Sequence, residues 1–332
     1  VMRGWKLSVG GLLLGMHILG CGKDVPSGAP PAASQPGIAD RPVIAFVAAA
    51  PNDPLWPVLK TSAELHLQQW DAFEVRFLVP EKDEPQSQAD LLAALSEPRL
   101  RGLCIHIRDA AAVQKQLERL QQSGVSIVSM IQPAPTNCRV AHVGLDESAI
   151  GRALADATAD LLGKHGTIML IHAGSDHPAF GLRLMGMRER LRIHRQLEAL
   201  ALIDCQADPQ VALAAIQDRS QRYPRLSAWV ALDDWPLRGL TSDNPLPPNT
   251  RLITFGGLPH QWPLLRSGVL PVLVAADYGQ LGGKALQFCE NAIRNTNPQR
   301  LPDHYIAPLR TLRPEDLDAY ERDWRTWAGQ GQ

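Results

Sequence analysis

From Arg41 onward the chain alternates short β-rich runs with stretches of helical period, and the whole pattern is played twice. That alternation restricts the chain to parallel sheets covered by helices on both faces, because two parallel strands must be joined by a crossover long enough to hold a helix. In the first round the strand candidates are residues 43–48, 74–79, 102–107 and 125–130, with helices between them. The helix before the last of these is the best delimited: Asp109 caps it, Val113, Leu117 and Leu120 fall on one face, and Gly124 ends it. The second round begins at Asp146, which can cap a helix carrying Ile150, Leu154, Ala157 and Leu161 on one face and ending at Gly163. Strands are then expected at 167–171, 197–203, 226–232 and 252–255, with a helix opened by Asp208-Pro209 among them. A last strand at 271–275 precedes a helix through Gly282, Ala285, Leu286 and Cys289. Beyond Pro314-Glu315-Asp316 a closing helix places Leu317, Tyr320, Trp324 and Trp327 on one face, as a helix that packs on the body would.

The expected fold is therefore α/β, with two Rossmann-like lobes meeting in a cleft where parallel strands point their carboxyl ends and ligands bind. A chain of 332 residues is long enough for two such units, each with its own core. Its 45% hydrophobic and 20% charged residues are in the usual globular balance, and a formal net charge of -1 gives no positive surplus for nucleic acid.

At the N-terminus Arg3 and Lys6 precede an apolar run over 7–19 that is too short for a permanent membrane span and reads as a signal peptide, residues 1–20. The run ends in Ile18-Leu19-Gly20-Cys21, which resembles the bacterial lipobox, so Cys21 is expected to be lipidated and to become the first mature residue. The alternative is a plain signal peptide with an incidental cysteine. Residues 21–40 are rich in Pro, Gly, Ala and Ser without apolar periodicity, the composition of a disordered tether. The remaining cysteines, Cys104, Cys138, Cys205 and Cys289, have no CxxC spacing and allow three pairings. Cys104 in a strand and Cys289 in a helix read as packed small hydrophobes.

In order along the chain stand VIAFVAAAPNDPLWPVLKTSAE, GLCIHIRDAAAV, GVSIVSMI, AHVGLDESAIGRALAD, GTIMLIHAGSDHPAFGLRLMGMRERL, AWVALDDWPLRGL, LITFGGLP and VLVAADYGQLGGKALQ. Over about residues 41 to 312 this series resembles the type I periplasmic (ribose/galactose-type) solute-binding family, which includes the ligand domains of lactose-repressor-type regulators. The resemblance implies three crossings between the lobes, with a three-strand hinge. One lobe would hold 41–144 plus 277–303, the other 145–276 plus 304–313, and 314–332 would form a C-terminal helix and tail. It also implies closure of the hinge around a ligand.

The family's ligand positions point to particular residues. Asp53 and Trp56 follow the first strand; Trp56 either stacks on a sugar ring or anchors its helix, and Asp53 can cap that helix and also touch ligand. Arg183, three residues before Gly186, matches the ligand-binding arginine of the second lobe and offers a fixed fork of donors. Asp233 would accept hydrogen bonds in the cleft while Asp234 caps the next helix, and His106 is either a cleft contact or a core histidine bonded to backbone. The usual Asp-Arg after the fourth strand is Ile131-Gln132 here, the usual Asp after Gly-Phe gives way to Phe255-Gly256, and the cleft glutamine near the third crossing is Ala276 followed by Asp277. Gln132, Gly256 and Asp277 thus complete the candidate set. Several hydroxyl-binding carboxylates and amides are absent, which weakens the sugar assignment more than the fold.

No metal, cofactor or catalytic role is expected. GxGxxG and GxSxG are absent, Gly279 to Lys284 has the wrong glycine spacing for a P-loop, and no oxygen-rich loop surrounds Asp233 and Asp234. A repressor would carry a helix-turn-helix module before residue 41, where a leader and tether stand instead. The reading is a monomeric periplasmic or cell-envelope lipoprotein, held to the membrane by lipid only, that captures a small sugar-like solute for an ABC permease. The alternative is a sensor presenting its bound state to a membrane receptor kinase.

Overall fold

The structure, a computed structural model, describes residues 41–68, 72–174, 179–241, 245–294 and 304–331. The expected signal peptide, Cys21 and the tether lie outside the described residues, as do 295–303 of the expected first lobe.

The first round of alternation runs β1 (Val43–Val47), α1 (Trp56–Leu67), β2 (Glu74–Leu78), α2 (Pro85–Ala94), β3 (Leu100–His106), α3 (Ala110–Gln122), β4 (Ser126–Ile131) and β5 (Ala141–Gly144). The second runs α4 (Glu147–Leu161), β6 (Gly166–His172), α5 (Phe180–Leu191), β7 (Leu197–Asp204), α6 (Pro209–Arg222), β8 (Ala228–Ala231), α7 (Trp235–Arg238), β9 (Leu252–Gly256), α8 (Trp262–Arg266) and β10 (Val272–Ala276). The chain then returns through α9 (Leu281–Arg294), β11 (His304–Ile306), β12 (Leu309–Leu312) and α10 (Leu317–Trp327). Among the described residues each sheet has six strands, ordered β11-β5-β4-β3-β1-β2 and β12-β10-β9-β8-β6-β7.

Central strands such as β1 and β10 are buried along their whole length, which is why they read as unbroken apolar runs rather than as alternations. The edge strand β7 leaves Leu200 and Leu202 exposed. Local signals act where the sequence places them. Asp109 accepts from the amides of Ala111 and Ala112, Asp146 from Ala149, and Asp208 from Gln210 and Val211. Gly124 and Gly163 take positive φ at the helix ends. Cys104 and Cys289 are fully buried within one apolar cluster, as packed small hydrophobes should be.

The three crossings follow β5, β10 and β11, and the third differs from expectation. Strand β11 pairs in parallel with β5, so residues 304–306 belong to the first sheet and the chain crosses at Ala307-Pro308. Entering the second sheet directly, without a helix to turn it round, β12 starts beside the end of β10 (Ala276 opposite Leu309) and runs antiparallel to it. The second sheet is therefore mixed. Helix α10 lies against this region: the Tyr320 hydroxyl donates to the Ala276 carbonyl at 3.1 Å, Trp324 packs edge-on to Trp262 and Tyr278, and Trp327 covers Gly279. Burying Leu317, Tyr320 and Trp324 contributes about 1.5–3 kcal/mol for each large apolar side chain.

Candidate functional site

The carboxyl ends of the parallel strands of both sheets border one cavity of about 450 Å³. Ala49 follows β1, His106 ends β3 with Ile107 and Arg108 after it, Ile131 ends β4 with Gln132 and Pro133 after it, Asp233 to Trp235 follow β8, Phe255 and Gly256 end β9 with Leu258 beyond, and Tyr278 follows β10. The volume is in the range of small-molecule sites.

On the second-sheet side Arg183 is the centre of the wall. It is 6% exposed, although its helix begins next to the cavity. Its Nε donates to Glu147 Oε2 at 2.5 Å, its Nη1 donates to the Leu232 carbonyl at 2.7 Å, and its guanidinium lies 4.8 Å from the Phe255 ring centroid. Helix packing makes this possible. A Cβ on Gly151 would stand 1.9 Å from the Arg183 carbonyl oxygen, and one on Gly186 2.0 Å from the Ser148 carbonyl oxygen, so the two glycines let α4 and α5 touch backbone to backbone. Glu147, in the first turn of α4, is thereby brought to Arg183.

Asp233 is buried beside this pair. Its Oδ2 accepts from the Ala173 amide and its Oδ1 from the Trp235 amide, each at 3.2 Å. Burial raises its pKa, outweighing those amides and the Arg183 charge. Asp234 behaves oppositely: burial works against its ionised form, but hydrogen bonds and charge from His260 and Arg238 prevail, and its pKa falls. Burial raises the Tyr278 phenol, whose hydroxyl donates to the Gly256 carbonyl at 3.1 Å.

The first-sheet side is built on His106 and Asp53. His106 Nδ1 is 2.6 Å from Asp53 Oδ2, and Asp53 also accepts from the amides of Leu55 (2.9 Å) and Ala49 (3.4 Å). Burial would raise the Asp53 pKa, but the His106 charge and these hydrogen bonds together lower it. Arg108 is ion-paired to Asp83. Gln132 follows Ile131, which has φ 61°. A β-branched residue in the left-handed region is strained, by about 1–3 kcal/mol, and here pairing with Gly144 of β5 holds it.

Of the sequence candidates, His106, Gln132, Arg183, Asp233 and Gly256 line the cavity, and Asp53, Trp56 and Asp277 do not. Trp56 is turned into the body, with ring centroids 5.9 Å from Phe46 and 6.2 Å from Phe77. Asp277 pairs with Arg310 at 2.7 Å and accepts from the Gly279 amide, work that ties the second crossing to β12. The capping expectations are also corrected. Leu55, not Asp53, holds the N-cap of α1, because Asp53 spends its carboxylate on the loop and on His106. Asp234 holds the N-cap place of α7 without capping it, since Arg238 and His260 take its oxygens, while Asp233 receives the Trp235 amide. His106 takes a mixed role, lining the cavity while bonded to a carboxylate rather than to backbone. A Cβ on Gly256 would lie 2.1 Å from Gln261 Oε1, the atom that accepts from the Gly257 and Leu258 amides, so this glycine makes room for the turn behind the site.

Residues not anticipated from sequence are Phe255, Trp235, Tyr278, Glu147 and Arg108. Trp235 had a legible signal, standing directly after the Asp-Asp at the end of a strand. Glu147 had none, because its role depends on the α4–α5 contact.

Two mostly parallel sheets, three crossings and a cavity at the facing strand ends define a two-lobed protein that binds solutes in a cleft. Over residues 44–297 the sequence matches the family described as periplasmic binding protein domain, and the chain belongs to that family. Membership implies a location outside the cytoplasm. Among solved structures the fold is similar to AraP, an arabinose-binding protein from Geobacillus stearothermophilus, with TM-score 0.73 and 17% identity over 85% of this chain and 99% of that one. It is also similar to an ABC transporter solute-binding protein from Burkholderia graminis in complex with D-arabinose (TM-score 0.70, 14% identity, 85% and 98% covered). A third is an ABC transporter solute-binding protein from Bacillus halodurans with bound myo-inositol (TM-score 0.67, 16% identity, 87% and 100% covered). No curated protein matches significantly.

Proposed function

We propose that this chain is an extracytoplasmic solute-binding lipoprotein that captures a sugar or polyol between its lobes and delivers it, unaltered, to an ABC-type importer. The observation that carries the reading is the cavity itself: about 450 Å³, at the carboxyl ends of both sheets, with Arg183 and Asp233 on one wall and His106 and Gln132 on the other. Closing the lobes would bring the two walls onto one solute. Arg183 keeps its Nη2 for a ligand hydroxyl, since among the described residues only Nε and Nη1 are engaged. Asp233 accepts one amide on each oxygen and has a lone pair left on each for a further donor. The sugar- and inositol-bound relatives support the ligand class, and the lipobox-like Ile18-Leu19-Gly20-Cys21 supports the lipid anchor.

A thermal-shift screen of pentoses, hexoses and polyols tests this, because a ligand that binds only the folded state raises Tm. Small-angle scattering of the stabilised complex should show a smaller radius of gyration. Tight binding without compaction would overturn the closure part of the reading, and stabilisation by none of the sugars, polyols or their substituted analogues would overturn the ligand class.

A further inference from the structure

Among the described residues, every charged side chain in the cavity wall except Asp233 already has an ionic partner within the protein. Arg183 is held by Glu147 at 2.5 Å, Arg238 by Asp234 at 2.9 Å, Arg108 by Asp83, and His106 sits 2.6 Å from Asp53. A ligand carboxylate could meet Arg183 only at the remaining Nη2, where the guanidinium charge is already balanced by Glu147 and Asp233 lies close, so it would enter the site without a cation of its own. A ligand ammonium would find Asp233, but with Arg183 next to it. The wall favours an uncharged guest.

The neutral part of the wall is unusual for a polyhydroxylated one. More than half of the described lining side chains are apolar, and among them the lining carries no serine, threonine or asparagine and a single amide, Gln132. Leu182, one residue before Arg183 on α5, borders the cavity while 50% exposed, and the partly exposed Ile131 and Leu258 border it from opposite sheets. A hydroxyl pressed against such surface loses its water without gaining a partner, whereas a methyl or methylene group gains burial.

We propose that the cleft selects an uncharged, amphipathic ligand: a sugar or polyol whose hydroxyls meet Arg183, Asp233 and Gln132 at one end and whose deoxygenated or alkylated portion lies on Leu182, Ile131 and Leu258. This inference rests on the solute-binding reading above and narrows its ligand class. It assigns a role in specificity to Leu182, whose half-exposed side chain at the cavity edge can take the apolar part of a ligand.

The test is a matched series measured by calorimetry on the purified protein: a hexose, its 6-deoxy form, its methyl glycoside and its uronic acid, and likewise an inositol and its O-methyl ether. The expected result is that at least one substituted, uncharged member binds ten-fold or more tightly than its parent, with no binding of the uronic acid. Leu182→Ser, which changes a half-exposed side chain and leaves Tm within about a degree, should bring that ratio close to one. Parent sugars binding as tightly as the substituted ones, a uronic acid binding best, or an unchanged ratio in Leu182→Ser would overturn the inference while leaving the solute-binding reading in place. Failure of the whole series to bind would overturn both.

Discussion

Arg183 Nε lies 2.5 Å from Glu147 Oε2, across the contact between the helix that follows the first crossing and the helix that follows β6. The pair is buried on the Arg183 side and stacked on Phe255, so it fixes the guanidinium before any ligand arrives. Arg183→Ala should weaken solute binding ten-fold or more, equivalent to about 1.4 kcal/mol, by removing the donor fork and leaving Glu147 without its partner. Calorimetry with the solute found by screening checks this, and Arg183→Lys, which keeps the charge but not the fork, should recover only part of the affinity.

The same contact depends on two glycines. In Gly186→Ala the added methyl would stand 2.0 Å from the Ser148 carbonyl oxygen, which is backbone and cannot swing aside. We expect α5 to be pushed from α4, with a loss of about 2–3 kcal/mol as for other overpacked sites and weaker solute binding, because Arg183 rides on α5. Chemical denaturation measures the first and calorimetry the second; unchanged values for both would remove the close-contact account.

Acid should weaken the first lobe at His142. Burial, assisted by the charge of Arg139 and by His304, lowers this histidine from its ordinary value to about 4, while its Nδ1 stays within 3.0 Å of Ser129 Oγ. Because the unfolded chain takes up a proton near pH 6.5 and the folded one does not until about 4, stability is complete above pH 6.5 and falls as pH drops through that window. The loss at pH 4 is at most about 3 kcal/mol. Replacing His142 by Gln should flatten the dependence of Tm on pH between 6.5 and 4, and a profile as steep as the parent's would show that another group is responsible.

Helix α10 is expected to be part of the fold rather than an appendage. Trp324→Ala would open a hole between Trp262, Tyr278 and Tyr320, costing about 3–5 kcal/mol. Tyr320→Phe, which removes only the bond to the Ala276 carbonyl, should cost about 1 kcal/mol. Urea titrations of the two variants should keep that order.

The sequence carried the architecture well where elements are long and locally signalled. Asp109, Asp146 and Asp208 each cap the helix they announce, and the fully buried strands appear as apolar runs. It did not carry β5, β11 and β12, which are only three or four residues long and exist because neighbouring strands offer an edge. The site divides in the same way. Arg183 could be singled out because the resemblance places a ligand-binding arginine at a local distance from a glycine, whereas the inward turn of Trp56, the sharing of Asp53 with His106 and the arrival of Glu147 are tertiary events with no sequence period of their own.

The aromatic face offers the sharpest separation of the two. Sequence position made Trp56 a candidate for stacking on a sugar ring, but its neighbours are Phe46 and Phe77, and it lines no part of the cavity. Trp235 does line it, with the Arg238 guanidinium 4.2 Å from its ring centroid. That cation covers one face and holds the ring in place, leaving the rest of the indole toward the cavity. Trp56→Phe should therefore lower Tm by several degrees through lost packing and leave affinity for the screened solute within about two-fold. Trp235→Ala should do the reverse, with a small change in Tm and an affinity loss of about ten-fold, within the range of one aromatic contact. Intrinsic fluorescence gives a second readout: solute should still perturb emission in Trp56→Phe and lose most of its effect in Trp235→Phe. If affinity instead follows Trp56, the ligand reaches further behind β1 than the cavity described here, and the wall assigned to Trp235 is wrong.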